Sequence, residues 1–589
     1  MFKRTSRQRG LFEAESVVSE GVRRRLKISW AEGFQAKVLP VLLDAEEEFA
    51  ALYSDETGRP CSSVARLLGI CVLQEMLDLD DQSALDSVAF DVRWQHALGM
   101  EPEDAYLSRR SLVEFRSRQV SKDPEMKNLR RVFELVGEAA ISELKLSTKE
   151  QRVDSTLITS NIFTRGRVDL FRKTLVHFFD WLTREHPALL ERLSASTREW
   201  YAQTEESGWF GKLDKEKAKQ EAVTLAERLY EVVRAFAEHE EVKKAESYQL
   251  VARLFAEHCE IQGGDDKGGG GGGGPGNATK TKVVLRKKVE APGSSLQSPF
   301  DPDAGYSYKG PGYLAHVAET CRNDGVEIIT DYALGAAGET DRGKDIEVID
   351  RLGEAKRQPA VLYADGGYPT GQGLIDAEQR GTEIVAPMTG GSLPENTVGR
   401  ESFEFDAVTG DCTRCPAGNA PLRHNTRTTG RNHPPTLHAY FDGEKCRACP
   451  TEPRCVVRTP NNGKAGNMHL EVGAHLIARD KRLAAQRDDA WWDRYKIRAG
   501  IEATISELKR SHGFGRLRVR RRPRVLFAVS LKVMACNVKR WLRAAVKLEK
   551  AAAAAQSVAK AAISACEALR SVSAFWRPRT FFQPLMSAA

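Results

Sequence analysis

Val361-Leu362-Tyr363-Ala364-Asp365-Gly366-Gly367-Tyr368 is a run of four apolar residues closed by a carboxylate and two glycines. A run that short, ended by such punctuation, predicts a buried strand over 361–364. Sites in α/β sheets form at the carboxyl ends of strands, where Asp365 stands. The glycines let a ligand approach the backbone closely. Taken alone, Asp365 reads equally well as a turn or capping residue. The flanks of this strand carry the same alternation. Tyr313–Cys321 and Val326–Asp331 are predicted strands joined by Asn323-Asp324-Gly325, a hairpin signal. A helix over about Asp341–Leu352 precedes the quoted strand. Another helix and a strand at Glu383–Pro387 follow it. This order predicts an α/β core, a mixed sheet flanked by helices.

Further strands and helices extend this core in both directions. Arg152–Leu157 is strand-like, with Asp154 in its middle. A carboxylate inside an apolar strand is costly unless it is paired or metal-bound. Downstream, a long helix from about Asp488 carries Tyr495, Arg498, Glu502 and Lys509 within an arc of about 60°. Ile497, Ile501, Ile505 and Leu508 form the adjoining stripe, so the helix buries one face and presents charge along its edge. A solvated amphipathic helix with ion pairs shows the same pattern.

Residues 1–140 read as an all-helical N-terminal domain. Val64, Leu67, Leu68, Cys71, Val72 and Met76 follow helical spacing, with Ser62 or Ser63 as N-cap. Further helices are predicted near Ser83–Leu98 and after Ser108. Residues 141–400 are expected to form the first part of the α/β core. A helical insertion at about 165–260 interrupts it, with Val168, Phe171, Leu175, Phe178 and Leu182 on one face. Gly263–Gly276, with seven consecutive glycines from Gly268 to Gly274, cannot build a core and is expected to be a disordered surface loop. Residues 401–470 are a Cys-rich insert, 471–549 hold the Glu502 helix and a basic segment, and 550–589 are an Ala-rich tail.

A chain of 589 residues is too long for one core. With 41% hydrophobic and 29% charged residues, its composition is that of an ordinary globular protein. No apolar run approaches the ~20 residues of a membrane span, so no membrane partner is expected. The start Met-Phe-Lys-Arg-Thr has no apolar core to make a signal peptide, which points to the cytoplasm. The net charge of +7 permits nucleic-acid binding, and its clustering says more. Arg516, Arg518, Arg520, Arg521, Arg522 and Arg524 crowd into Gly515–Val525, where Leu517 and Val519 alternate with the first three. Part of this run reads as a strand with one basic face and as a track for DNA phosphates. The plain alternative is a solvated charge run. Arg23, Arg24, Arg25 and Lys27 form a weaker cluster.

Six of the eleven cysteines are scattered and read as small core residues. Cys412-x-x-Cys415 and Cys446-x-x-Cys449 are two pairs separated by 30 residues, the pattern of a four-thiolate structural Zn²⁺ site. Cys455 is a fifth candidate that could replace one of the four. The alternative is a set of unrelated thiols in a loop.

Tyr495, Arg498, Glu502 and Lys509, at these spacings, resemble the Tyr-Arg-Glu-Lys signature of a large group of bacterial insertion-sequence transposases. Val153-Asp154-Ser155-Thr156 and Ala364–Tyr368 are similar to that family's first and second acidic motifs. Ser108–Ser111 through Phe115-Arg116 resembles its N-terminal domain, Pro302–Gly305 to Gly312-Tyr313 its central segment, and the cysteine region its Cys-rich insert. The likeness covers most of residues 10–545 and departs at the polyglycine run and the Ala-rich tail. It implies a ribonuclease-H-like fold in which Asp154, Asp365 and Glu502 hold two Mg²⁺ ions (Mn²⁺ able to substitute) for DNA strand cleavage and strand transfer. It needs no Ser or Cys nucleophile. Arg498 and Lys509 would grip phosphates. Tyr495 would stack on a base or pack under the metal site. The implied partner is double-stranded DNA, both element ends and target, bound by a homodimer or larger assembly at the bacterial nucleoid, with the N-terminal domain serving end binding or dimerisation. Two other functions remain: a different metal-dependent nuclease on the same fold, and a catalytically idle DNA-binding protein descended from a transposase.

Overall fold

A computed structural model describes the chain except for residues 7–15, 55–60, 163–165, 207–213, 263–281, 290–291, 324, 389–396, 407–408, 410, 428–435, 452–453, 458–465 and 576–589. The polyglycine run lies outside the described residues.

Six strands form the central sheet: β1 (Glu150–Ile158), β2 (Gly305–Ser307), β3 (Gly310–Thr320), β4 (Ile329–Ala336), β5 (Val361–Tyr363) and β6 (Glu383–Val385). Their lateral order is β4-β3-β1-β5-β6, and β2 forms a hairpin with the start of β3. β1 runs antiparallel to β3 and parallel to β5, so the sheet is mixed as predicted. Because β1 is paired on both edges, its backbone groups are satisfied and its side chains alternate between two covered faces. Val153 packs with Val348 and Leu352 of the helix Lys344–Glu354 on one face. Arg152 and Asp154 point to the other.

The helices before residue 145 do not close a core of their own. Phe34, Leu68, Val72, Phe115 and Phe133 share one buried cluster with Val317 and Tyr332 of the sheet and with Phe514, Val529 and Met534. Arg130 also reaches across to the buried Asp331. Val64–Leu77 starts at Ser63, whose hydroxyl accepts from Arg66 N at 3.1 Å. The segment predicted as one helix near Ser83–Leu98 is two, Asp81–Phe90 and Val92–Ala97. Asp91 divides them: its backbone is extended, and its carboxylate caps the second by accepting from Arg93 N at 2.9 Å.

The insertion has a separate core, with Phe171, Leu175 and Phe178 against Leu225, Leu229 and Leu254. Val168 is only partly buried at its edge. The Cys-rich segment is a three-stranded antiparallel sheet, Arg423–Arg427, Thr436–Phe441 and Met468–Val472, beside the ribbon of Glu404–Phe405 and Cys412–Arg414.

Two predictions in the last third are corrected. The single helix expected from Asp488 is Asp489–Tyr495, a 3₁₀ stretch Lys496–Gly500, and Ile501–Ser511. Arg152 lies against the break: it donates to Ile497 O at 3.0 Å, and a Cβ on Gly500 would stand 1.9 Å from its Nη1. The basic run is not a strand. It touches the segment after β1 through Leu517 N to Thr159 O at 2.8 Å and Asn161 N to Val519 O at 2.9 Å, with a single bridge at Arg516. The helix Arg522–Phe575 continues into the Ala-rich stretch after Lys550. No helix among the described residues is long and apolar enough to cross a membrane.

Candidate active site and thiol cluster

Strand register brings the two aspartates together. Parallel pairing sets Arg152 beside Tyr363, so two residues further on Asp154 and Asp365 come level on neighbouring strands. Residues two apart share a face, and both carboxylates therefore point the same way. Glu502 sits in the first turn of the helix Ile501–Ser511, which packs over that face. Between them lies Arg498. Its Nη2 is 2.6 Å from Asp154 Oδ2 and 3.4 Å from Asp365 Oδ2, and its Nη1 is 3.0 Å from Glu502 Oε1. Asp154 is only 14% exposed, whereas Asp365 and Glu502 are 56% and 66% exposed, so the cluster is rooted in the sheet and open at the surface. Burial pushes the Asp154 carboxyl above its usual range, against the pull of Arg498.

A buried ion network fastens this helix to the sheet. Glu319 on β3 is fully buried and bonds Arg152 at 2.7 Å, Arg540 at 3.1 Å and the Thr504 hydroxyl at 2.5 Å. Arg540 also pairs with Glu507 at 2.8 Å, which holds Glu507 on the side away from Glu502. Sequence reading passed over Arg152, Glu319, Gly500 and Arg540. Its available signal was Arg152, a second charged residue on the Asp154 face of an apolar strand. Tyr495 packs rather than standing free: its ring stacks on Trp491 at 5.5 Å, beside Tyr363 and Val385.

Lys509 lies two turns beyond Glu502 on the same helix, open to solvent overall with its ammonium partly buried. Burial and the nearby Lys309 lower its pKa, and Asp154 opposes them. The basic run divides. Arg516, Arg518 and Arg524 are exposed. Arg520 donates to Asn161 O at 2.6 Å and lies over the Phe300 ring. Arg521 pairs with Glu246 at 2.9 Å, tying down the insertion, and Arg522 pairs with Glu125 at 2.7 Å. The backbone N–H groups of Arg521 and Arg522 donate to Asp301 and Asp303, which satisfy the start of the long helix.

The thiols group differently from their sequence spacing. Cys415, Cys446, Cys449 and Cys455 line one cavity of about 30 Å³. Cys412 is absent from its lining; it is fully buried in a small core with Phe403, Ala439 and Leu470. Burial pushes the Cys446 thiol up to about 11, with Cys415, Cys455 and Cys449 adding to the rise. Asn419 N donates to Cys415 Sγ at 3.3 Å across a turn in which Gly418 takes a φ of +82°. Among the described residues, one group of three potential ligands lies within 4.8 Å of one another: Glu507, His512 and Cys536, away from both clusters. Neither the carboxylates nor the four thiols are that close.

Three carboxylates gathered from the middle of β1, the end of β5 and the first turn of a helix, with exposed arginines nearby in the chain, suit phosphoryl transfer on a nucleic acid. Comparison with known families reaches the same class. Residues 414–542 match a family model described as Transposase DDE domain, and residues 28–118 match one described as Transposase domain (DUF772). The first match contains Glu502, and both aspartates lie outside it. No curated protein and no solved structure matches the chain. The protein is a DDE-type DNA transposase of the insertion-sequence kind, an enzyme of metal-dependent phosphoryl transfer.

Proposed function

We propose that Asp154, Asp365 and Glu502 are the metal-binding catalytic triad, and that the enzyme cleaves its element's ends and joins them to target DNA. The observation that carries this reading is that all three carboxylates, from three separate elements, face one cation, Arg498. The strand order, with β1 central, the successively antiparallel pairings β1-β3-β4 on one side and the parallel pairings β1-β5-β6 on the other, supports a ribonuclease-H-like core. Carboxylate oxygens are hard donors that suit Mg²⁺ or Mn²⁺, and their shared orientation toward a cation fits such a group. Bound there, two ions would polarise the scissile phosphate and supply an oxygen nucleophile at neutral pH.

The chain's own residues do the rest. Asp154 is fixed by the sheet, and Glu502 by the Glu319 network beneath its helix. Lys509 and the exposed arginines Arg516, Arg518 and Arg524 bind DNA phosphates. Arg498 balances the carboxylates and can turn toward a phosphate beside the scissile bond. Tyr495 supports the site from below. Cys415, Cys446, Cys449 and Cys455 hold one structural Zn²⁺. The partner is double-stranded DNA in the bacterial nucleoid, held by a homodimer or larger assembly that brings two ends together, with the helical N-terminal segment binding ends or a second copy.

The test is cleavage of a labelled duplex carrying the inverted repeat that borders the coding sequence, scored beside binding. Asp154→Asn, Asp365→Asn and Glu502→Gln keep volume and remove the anion. Each is expected to abolish cleavage in Mg²⁺ while leaving binding intact. Because the three act as one unit, double variants should be scarcely worse than singles. Cutting by Glu502→Gln at the wild-type rate would remove Glu502 from the triad. Joining of the cut end to a second duplex separates a transposase from a nuclease that only cuts.

A further inference from the structure

The helix Ile501–Ser511 ends against the long helix Arg522–Phe575, and three side chains with metal-ligating atoms gather at the contact. A carboxylate oxygen of Glu507, a ring nitrogen of His512 and the Cys536 sulfur all lie within 4.8 Å of one another. His512 and Cys536 are fully buried, and Glu507 is partly exposed.

The hydrogen bonds leave one ligand atom open on each polar member. His512 Nδ1 donates to the backbone Glu75 O at 3.0 Å, so the ring proton sits there and Nε2 keeps its lone pair. That Nε2 is buried without a hydrogen-bond partner. Buried polar atoms are seldom left so, and a histidine that ligates a metal commonly donates its other nitrogen to a carbonyl. The residue is also held from its backbone, where His512 O accepts from Lys532 Nζ at 2.5 Å. On Glu507, both bonds from Arg540, at 3.0 and 2.8 Å, fall on Oε2 and leave Oε1 for another partner. Cys536 stands one helical turn from Lys532 and one from Arg540. Those two cations are already matched, by Glu75 at 2.6 Å and by Glu319 and Glu507.

We propose that Glu507 Oε1, His512 Nε2 and Cys536 Sγ bind one Zn²⁺ ion, separate from the carboxylate triad and the thiol cavity, and that this ion pins the end of the Glu502 helix to the long helix. A sulfur, a nitrogen and an oxygen donor suit Zn²⁺, whereas Mg²⁺ takes oxygen. On binding, the Cys536 S–H bond breaks, an S–Zn bond forms and the proton passes to solvent. The ligand atoms of a tetrahedral zinc stand about 3.5 Å apart, so the group must draw in by on the order of 1 Å. Glu507 is the member free to move, being partly exposed, and its open side admits a water as fourth ligand. Three protein ligands hold zinc more weakly than four thiolates, so this site fills when metal is added rather than on purification. The proposal does not depend on which carboxylates cut DNA.

The experiment uses the full chain, dialysed against buffered Zn²⁺ and analysed for bound metal. Wild-type protein should hold one more zinc per chain than Cys536→Ala or His512→Asn. The Asn variant keeps an amide donor for Glu75 O and removes the Nε2 position, so it separates ligation from folding. Its melting temperature without metal should stay near that of the wild type. Added Zn²⁺ should raise the melting temperature of the wild type more than that of either variant, since binding to the folded state stabilises it. Excess Mg²⁺ should not displace the ion. Cys455→Ser, which removes a thiol of the other cavity, should still take it up. Equal zinc in wild type and His512→Asn overturns the proposal, as does an equal rise in melting temperature. Loss of this ion from Cys455→Ser would assign it to the thiol cavity and overturn the proposal as well.

Discussion

One guanidinium nitrogen of Arg498 lies 2.6 Å from Asp154 and the other 3.0 Å from Glu502, so a single side chain joins the central strand to the helix above it. Without a cation, three carboxylates at this spacing would repel one another. Arg498→Ala is therefore expected to destabilise the protein at low divalent-metal concentration. Added Mg²⁺ should then raise the melting temperature of the variant more than that of the wild type, because binding to the folded state stabilises it by mass action. Thermal melts across a Mg²⁺ titration read this directly, and equal rises in the two proteins would count against it. Cleavage by the variant should fall without vanishing, since the proposed metal ligands remain.

Glu319 is fully buried between Arg152 and Arg540. Glu319→Gln would leave Arg152 without its counter-charge and Arg540 with Glu507 alone. Breaking a buried pair from one side typically costs about 3–5 kcal/mol. Urea denaturation should show a loss on that scale, and a loss below about 1 kcal/mol would mean that solvent reaches the network.

The basic run should act unequally. Arg518→Ala and Arg524→Ala, both at exposed positions, should each lower the salt slope of DNA binding by about 0.9. Arg521→Ala, which breaks the pair with Glu246, should leave the slope nearly unchanged and loosen the insertion. Limited proteolysis of the insertion, run beside binding isotherms at several salt concentrations, separates the two effects. A full slope change in Arg521→Ala would show that its pair opens to DNA.

The thiols can be sorted by metal analysis. Purified wild-type protein is expected to contain about one zinc per chain. Cys455→Ser should lose it, whereas Cys412→Ala, which alters only the small core, should keep it. Zinc lost from Cys412→Ala and kept in Cys455→Ser would restore the set suggested by sequence spacing.

Asp345 supplies a pH dependence. Burial in the helix Lys344–Glu354 pushes its carboxyl up to about 7, above the ~3.9 of an unfolded chain. Between those values the folded state binds more protons than the unfolded one, so this group lowers stability as pH rises from about 4 to about 7. The penalty is absent below that window and complete above it. Asp345→Asn should therefore gain stability relative to the wild type at pH 8 and not at pH 4. Urea midpoints at the two pH values check this, and a gain of equal size at both would place the effect elsewhere.

The sequence by itself determined the order of elements and most of the chemistry-bearing residues. Asp154 announces itself because a carboxylate in an apolar strand is costly, and Asp365 because it closes a strand before two glycines. Ser63 and Ser108 mark helix starts through local hydrogen bonds that need no tertiary partner. What only the tertiary structure decided is which of these groups meet. Register between β1 and β5 sets the two aspartates level, and register is a property of the pairing rather than of either strand. The 3₁₀ break at Lys496–Gly500 follows from Arg152, more than 340 residues earlier in the chain, lying where a regular helix would need space. Cys455 joins the thiol cavity and Cys412 leaves it because folding of the intervening strands, not spacing along the chain, chooses neighbours. Arg521 and Arg522 look like DNA contacts in sequence, yet both pair with distant glutamates, Glu246 at the start of a helix and Glu125 in a turn. Charge is local information, and the partner that neutralises it is not.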